Sequence, residues 1–208
     1  MEIKSKIIKG GLYLTIVNVL SQFLAIVVNI VLARLLLPED FGLVALTMTY
    51  IGFITLFTSM GFGSSIIHES ETSQKQLSSI YWLNYGLSIF SFIIIITTSQ
   101  FAASFYNEPK LTPIVLFAAI NILLNPFYII HYKLLERDLE FKTISKINLS
   151  GTLIGSIAAI IGAYLGLGVY ALILQSLVSS AVRLVIIMIY KRWLPSFYFN
   201  FKGNYVPL

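Results

Sequence analysis

Six stretches of the chain stay apolar for far longer than a soluble helix needs, and short polar segments part them. They fall at residues 12–36, 41–67, 78–103, 111–132, 144–167 and 169–190. Each runs for at least about 20 residues, enough for a helix to cross roughly 30 Å of hydrocarbon. None of them alternates apolar with polar positions as a half-buried strand does. Only helices and closed barrels satisfy their backbone in lipid. The pattern therefore predicts an all-α integral membrane protein with a transmembrane helix in each stretch. The first stretch is not a cleavable signal peptide: it is too long, lacks a small-residue cleavage site, and a second span follows at once.

Composition agrees with this picture. The chain is 57% hydrophobic and 11% charged, with mean hydropathy +0.86, whereas soluble domains carry about 25% charged residues. There is no cysteine, which excludes disulfides and thiolate metal sites. A net charge of +5 in a soluble protein suggests nucleic acid. Here the basic residues cluster in loops, as membrane proteins arrange them, so no nucleic-acid partner is expected.

The distribution of those basic residues predicts topology. Lys4, Lys6, Lys9, Lys75, Lys133, Arg137, Lys142, Lys146, Lys191, Arg192 and Lys202 fall on one side of the membrane. Arg34 and Lys110 fall on the other, and Arg183 lies inside a span. The positive-inside rule then places both termini in the cytoplasm. Residues 1–190 form the transmembrane unit, and residues 191–208 follow it on the cytoplasmic side.

The stretch "LARLLLPEDFG", residues 32–42, joins the first two spans. Pro38 suits the first turn of a new helix, where its missing N–H is not needed. Glu39 and Asp40 then meet the positive end of the helix dipole, and Arg34 sits where the preceding helix favours a cation. Two roles fit Arg34: an ion pair with Glu39 or Asp40 across the turn, and contact with a ligand.

This turn, the wider stretch "VLARLLLPEDFGLVALTMTYIGFITLFTSMGFGSSIIHE" and the tail "KRWLPSFYFNFKGNYVPL" resemble bacterial polysaccharide exporters and flippases of the Wzx type. These belong to the superfamily of the MATE drug exporters and the lipid II flippases. The resemblance covers essentially the whole chain. It implies one six-helix lobe of a two-lobed transporter in the bacterial cytoplasmic membrane, a plan built from parallel repeats. The tail is then the start of the inter-lobe linker. No repeat within the spans replaces a second lobe, so the resemblance implies that a second six-helix lobe, or a second copy, completes the cleft. It also implies a lipid-linked oligosaccharide as substrate, with membrane lipid as the surroundings.

Candidate cleft residues come from polar stripes at helical spacing. Thr15, Asn18, Gln22 and Asn29 share a face of the first span. Asn84, Ser88 and Ser91 do so in the third, Asn121, Asn125, Tyr128 and Tyr132 in the fourth, and Gln175, Ser179 and Arg183 in the sixth. Such groups face either a wet cavity or partners on neighbouring helices. The first-span stripe is the longest and the best candidate for a cavity wall. In the fifth span the pairs Gly151/Gly155 and Gly162/Gly166 read as small-residue packing surfaces. Pro126 should kink the fourth span, as a fixed bend or a hinge. Arg183 lies roughly 12 Å deep, about eight residues from the end of its span. It either snorkels to the headgroups or, as the resemblance suggests, meets the diphosphate of a lipid-linked sugar, since arginine grips phosphate oxygens bidentately. His131 is expected at the interface rather than in a proton relay.

Enzyme signatures are missing from the sequence. There is no paired carboxylate within the spans, no phosphate-cradling glycine loop and no metal-ligand spacing, so no catalytic residue, metal or cofactor is expected. All nine acids lie in loops or termini, so this part offers no intramembrane carboxylate for ion coupling. Two functions remain. One is a transporter lobe that flips an undecaprenyl-diphosphate-linked oligosaccharide for cell-surface polysaccharide. The other is a truncated membrane scaffold that docks polysaccharide-assembly enzymes.

Overall fold

In a computed structural model of the chain, residues 2–59 and 74–196 are described. They form α1 (Glu2–Leu35), α2 (Pro38–Ser59), α3 (Gln74–Phe105), α4 (Leu111–Arg137), α5 (Phe141–Tyr164) and α6 (Val169–Tyr190). All six contain a stretch long and apolar enough to cross a membrane. The protein is a six-span, all-helical membrane protein. The expected second span ran to residue 67, and its "MGFGSSII" end lies outside the described residues, as does the tail from residue 197.

Helices overrun the apolar stretches wherever the backbone can continue. α1 starts ten residues before the first stretch, and α4 runs on through Arg137. At the α4 end the exposed Arg137 side chain reaches water while the backbone keeps its internal hydrogen bonds. The fifth span is corrected in the other direction. α5 stops at Tyr164, because Gly166 and Gly168 take φ of +77° and +55°. That left-handed backbone is open to glycine and ends a helix. Gly166 therefore belongs to the α5–α6 turn, and Gly162 packs alone, against Leu167 and Ala171.

α5 against α6 is the most extensive contact of the lobe. Gly151 and Gly155 allow it: a Cβ on Gly155 would fall 2.6 Å from the Gln175 carbonyl oxygen, so the two backbones nearly touch there. α1 packs chiefly on α5, α6 also packs on α4, α4 carries α3, and α2 leans over α3, α4 and α6. Along the α1 seam Val28, Leu32 and Leu36 interlock with Ala159, Ala163 and Ala171. On the far side Ile95 and Ala102 of α3 meet Leu111, Val115 and Ala119 of α4. Pro126 is buried within α4, which continues through it. Its missing N–H leaves the Ile122 carbonyl without its helical donor.

The α1–α2 hairpin has the expected N-terminal chemistry and one difference. Pro38 is the first residue of α2, with Glu39 and Asp40 in its first turn. The Asp40 carboxylate accepts from the Leu37 N–H at 3.1 Å, and the Asp40 N–H donates to the Leu37 carbonyl at 3.0 Å. Asp40 is thus used to cap the turn. The expected ion pair of Arg34 with Glu39 or Asp40 does not form; Arg34 is exposed at the last turn of α1.

Candidate functional site

Polar side chains of the spans divide into an outer set and an inner set. The outer set includes a stripe on α1. Val17, Val28 and Leu32 bury one face of that helix, and Thr15, Asn18, Gln22 and Asn29 stand exposed on the other side. The Thr15 hydroxyl turns back to the Gly11 carbonyl at 2.9 Å. Exposed beside the stripe are Leu12, Ile16, Phe23 and Ile26. The stripe is thus a polar strip within a lipid-length, otherwise apolar surface.

The inner set is a ladder between α4, α5 and α6. Asn121 donates from Nδ2 to the Ser176 hydroxyl at 2.9 Å, and Ser176 passes its proton to the Ile173 carbonyl at 2.8 Å. Gln175 Nε2 reaches Ser156 Oγ at 3.4 Å. Arg183 donates from Nη2 to Thr152 Oγ1 at 3.2 Å, and Tyr128 donates its hydroxyl proton to Asn148 Oδ1 at 3.1 Å. Small residues make these contacts fit. A Cβ on Gly151 would lie 2.8 Å from Arg183 Nε and 2.9 Å from the Ser179 carbonyl oxygen, so the arginine stem lies in the notch that this glycine leaves.

One donor and one acceptor of the ladder are left over. Arg183 Nε and Asn121 Oδ1 are buried without a partner. Arginine carries five N–H groups in a fixed fork. Arg183 shows one of them bonded within the lobe, and burying an unpaired polar atom is costly. Arg183 is half-buried as a residue, with its Nε buried. No acid neutralises it: the ion pairs among the described residues are Lys133–Glu136, Arg137–Asp138 and Lys191–Asp138, all at the helix ends.

The structure therefore separates the expected site residues. Asn121, Gln175 and Arg183 are drawn into the lobe, each with a partner on a neighbouring helix. Asn18, Gln22 and Asn29 face outward, as does Asn125 beside Pro126. Asn84 bonds within its own helix, to the Ile80 carbonyl at 2.9 Å. Arg34 stands apart at the opposite end from the basic loops. His131 is 3% exposed, buried rather than open to headgroups. Asn148, Thr152 and Ser156 join the site without belonging to any of the predicted stripes; they recur every fourth residue along α5, a spacing that puts them on one helical face and that the sequence carries beside the small-residue pattern of the α5 glycines.

The profile of the family described as "Polysaccharide biosynthesis protein" matches residues 31–204, most of the chain. This chain belongs to that family. Among its relatives is the lipopolysaccharide biosynthesis protein WzxC of Escherichia coli, 30% identical over 88% of this chain and 37% of its own length. The teichuronic acid biosynthesis protein TuaB of Bacillus subtilis is 28% identical over 73% of this chain and 32% of its own length. The succinoglycan biosynthesis transport protein ExoT of Rhizobium meliloti is 25% identical over 83% of this chain and 35% of its own length. The chain spans about a third of the length of these curated relatives. No solved structure matches it.

Proposed function

We propose that these residues form one lobe of a membrane transporter that moves a lipid-linked oligosaccharide, carried on undecaprenyl diphosphate, to the outer leaflet for polysaccharide assembly. The observation that carries this reading is the exposed stripe Asn18, Gln22, Asn29 on a helix of membrane-spanning length. Amide side chains facing hydrocarbon are unfavourable. A water-filled cleft against a second six-helix lobe, or a second copy, gives them a polar surrounding and gives sugar hydroxyls a wall of hydrogen-bonding groups. The relatives support the class of cargo, since their names join them to lipopolysaccharide, teichuronic acid and succinoglycan.

Within this reading Arg183 supplies the cation for the diphosphate. It lies within α6, its stem is fixed against Gly151, and its Nε is unspent. The movement is largely one lobe rocking against the other around a shared site.

The test is complementation of a flippase-null strain, scored by surface polysaccharide. Residues 1–208 alone are expected to insert without restoring export, and co-expression with a second lobe is expected to restore it. Export by residues 1–208 alone would replace the two-lobe reading with a homodimer. No export from any two-lobed form, at normal membrane abundance, would leave the scaffold that docks assembly enzymes.

A further inference from the structure

His131 stands where α4 meets the chain leaving α6. Its Nδ1 lies 2.7 Å from the Phe127 carbonyl oxygen, one turn back, and its Nε2 lies 3.1 Å from the Trp193 carbonyl oxygen. Carbonyl oxygens only accept. A neutral imidazole has one N–H, and the imidazolium has two. Both contacts are therefore hydrogen bonds only when the ring carries its second proton. In the neutral ring one nitrogen lone pair is aimed at a carbonyl lone pair, whichever tautomer forms.

Trp193 belongs to a short non-helical stretch sewn onto α3. Trp193 Nε1 donates to Gln74 Oε1 at 2.6 Å, and Gln74 Nε2 donates back to the Leu194 carbonyl at 2.9 Å. The Ser196 N–H donates to Ser78 Oγ at 3.0 Å, and Trp82 Nε1 donates to the Ser196 carbonyl at 3.1 Å. The Trp193 ring stands edge-on to His131 and to Tyr81, at 5.8 and 5.9 Å between centroids. His131 supplies the hydrogen bond from α4 to this stretch, beside the packing of Trp193 with Phe127, Ile130 and Leu134, and histidine is the side-chain type whose charge changes between about pH 5 and 8. Other charged or titratable groups at this end include Tyr81 and Tyr85 on α3, Tyr128, Tyr132 and the Lys133–Glu136 pair on α4, Asp138 with Lys191 and Arg137, Glu140, Lys142 and Lys146 around the start of α5, and Arg192. Side chains of these types change charge outside that interval.

We propose that His131 is a proton-operated latch. Doubly protonated, it hydrogen-bonds the Trp193 carbonyl to α4; on losing that proton it gives up that bond, and the hydrogen bonds of residues 193–196 to the helices are then to α3 alone. The stretch is the exit of the chain from the lobe, so the latch sets the direction in which whatever follows α6 departs. The proposal is independent of which cargo the lobe handles.

The chain has two tryptophans and two histidines, which makes the latch readable. In Trp82→Phe, Trp193 is the sole tryptophan. In nanodiscs of zwitterionic lipid, acrylamide quenching of Trp193 is expected to rise as pH increases from about 5 to about 8, the interval in which imidazole discharges. His131→Gln should abolish that dependence, and His68→Gln should keep it. His131→Arg, with permanent charge and several donors, should hold Trp193 protected at every pH. Because Trp82 itself bonds the stretch, a spin label at Leu194→Cys in the otherwise cysteine-free chain gives a second readout, mobile at high pH and restrained at low pH. Quenching and label mobility that ignore pH, or that follow pH equally in His131→Gln or His131→Arg, would overturn the latch.

Discussion

Arg183 lies against Gly151: a Cβ on the glycine would meet the arginine Cγ at 2.5 Å and its Nε at 2.8 Å. The guanidinium then reaches Thr152, one residue further along α5. A side chain with many rotamers is thereby held by a wall of backbone on one side and a hydroxyl on the other. A single residue without a Cβ thus links close helix packing to the placement of the Arg183 charge.

Gly151→Ala and Gly155→Ala should both destabilise the lobe. At Gly151 the arginine stem and the Ser179 carbonyl oxygen must move, and at Gly155 the Gln175 carbonyl oxygen stands 2.6 Å from the new methyl. Backbone cannot step aside as a flexible side chain can, so the cost is expected near the ~1–3 kcal/mol of an overpacked interior. Gly86→Ala meets nothing within 4 Å and should be neutral or mildly stabilising on helix propensity. Thermal unfolding in detergent compares the three.

Arg183→Ala, placed in a chain with both lobes, should abolish polysaccharide export at unchanged membrane abundance. Arg183→Lys should retain part of the activity, since charge survives while the bidentate fork is lost. Normal export by the alanine variant would reduce Arg183 to a structural donor for Thr152.

Asp138 follows α4 and is held by Lys191, which follows α6. The hydrogen bond from Lys191 holds its carboxyl below the ordinary carboxylate value, with a smaller contribution from Arg137. A group whose folded-state value is lowered contributes stability above its unfolded value and loses it as pH falls through the lowered one. The tie between the ends of α4 and α6 should therefore be intact at neutral pH and fail only in acid, below about pH 4. Both side chains are about a third exposed, so the pair is worth at most ~1 kcal/mol. Lys191→Met should remove the acid-dependent part of the unfolding midpoint and leave the neutral value almost unchanged.

Reporter fusions should read cytoplasmic at Met1 and after Lys191, and external at Glu39. The basis is the concentration of Lys and Arg on one side, which membrane insertion reads as inside. An external reading at Lys142 would break this topology.

The spans, the hairpin and the class of protein were legible in the chain itself. In lipid every helix closes its own backbone hydrogen bonds, so an apolar run of sufficient length is a span whatever its neighbours do. Pro38 starting α2 and Asp40 in its first turn follow from the same kind of local rule, because cap chemistry acts over a few residues. The family pattern was readable too, since it sits in that turn and in the residues beyond it.

Tertiary structure decided where the polar groups face. Asn18 and Asn121 are the same side chain at mid-span in two apolar helices, yet one is exposed on α1 and the other bonds Ser176 inside the lobe. Periodicity gives the stripe and leaves open what stands opposite it, because that depends on which helices pack together across long stretches of sequence. The end of α5 was decided in the same way. Hydropathy carried the span past Gly166, and the turn there is fixed by left-handed backbone at Gly166 and Gly168 as α6 folds back onto α5. Arg34 stays exposed at the end of α1 without an ion pair, and the Asp40 carboxylate is turned to the Leu37 amide. A nearby charge is only a candidate partner, and the fold determines whether the two side chains meet.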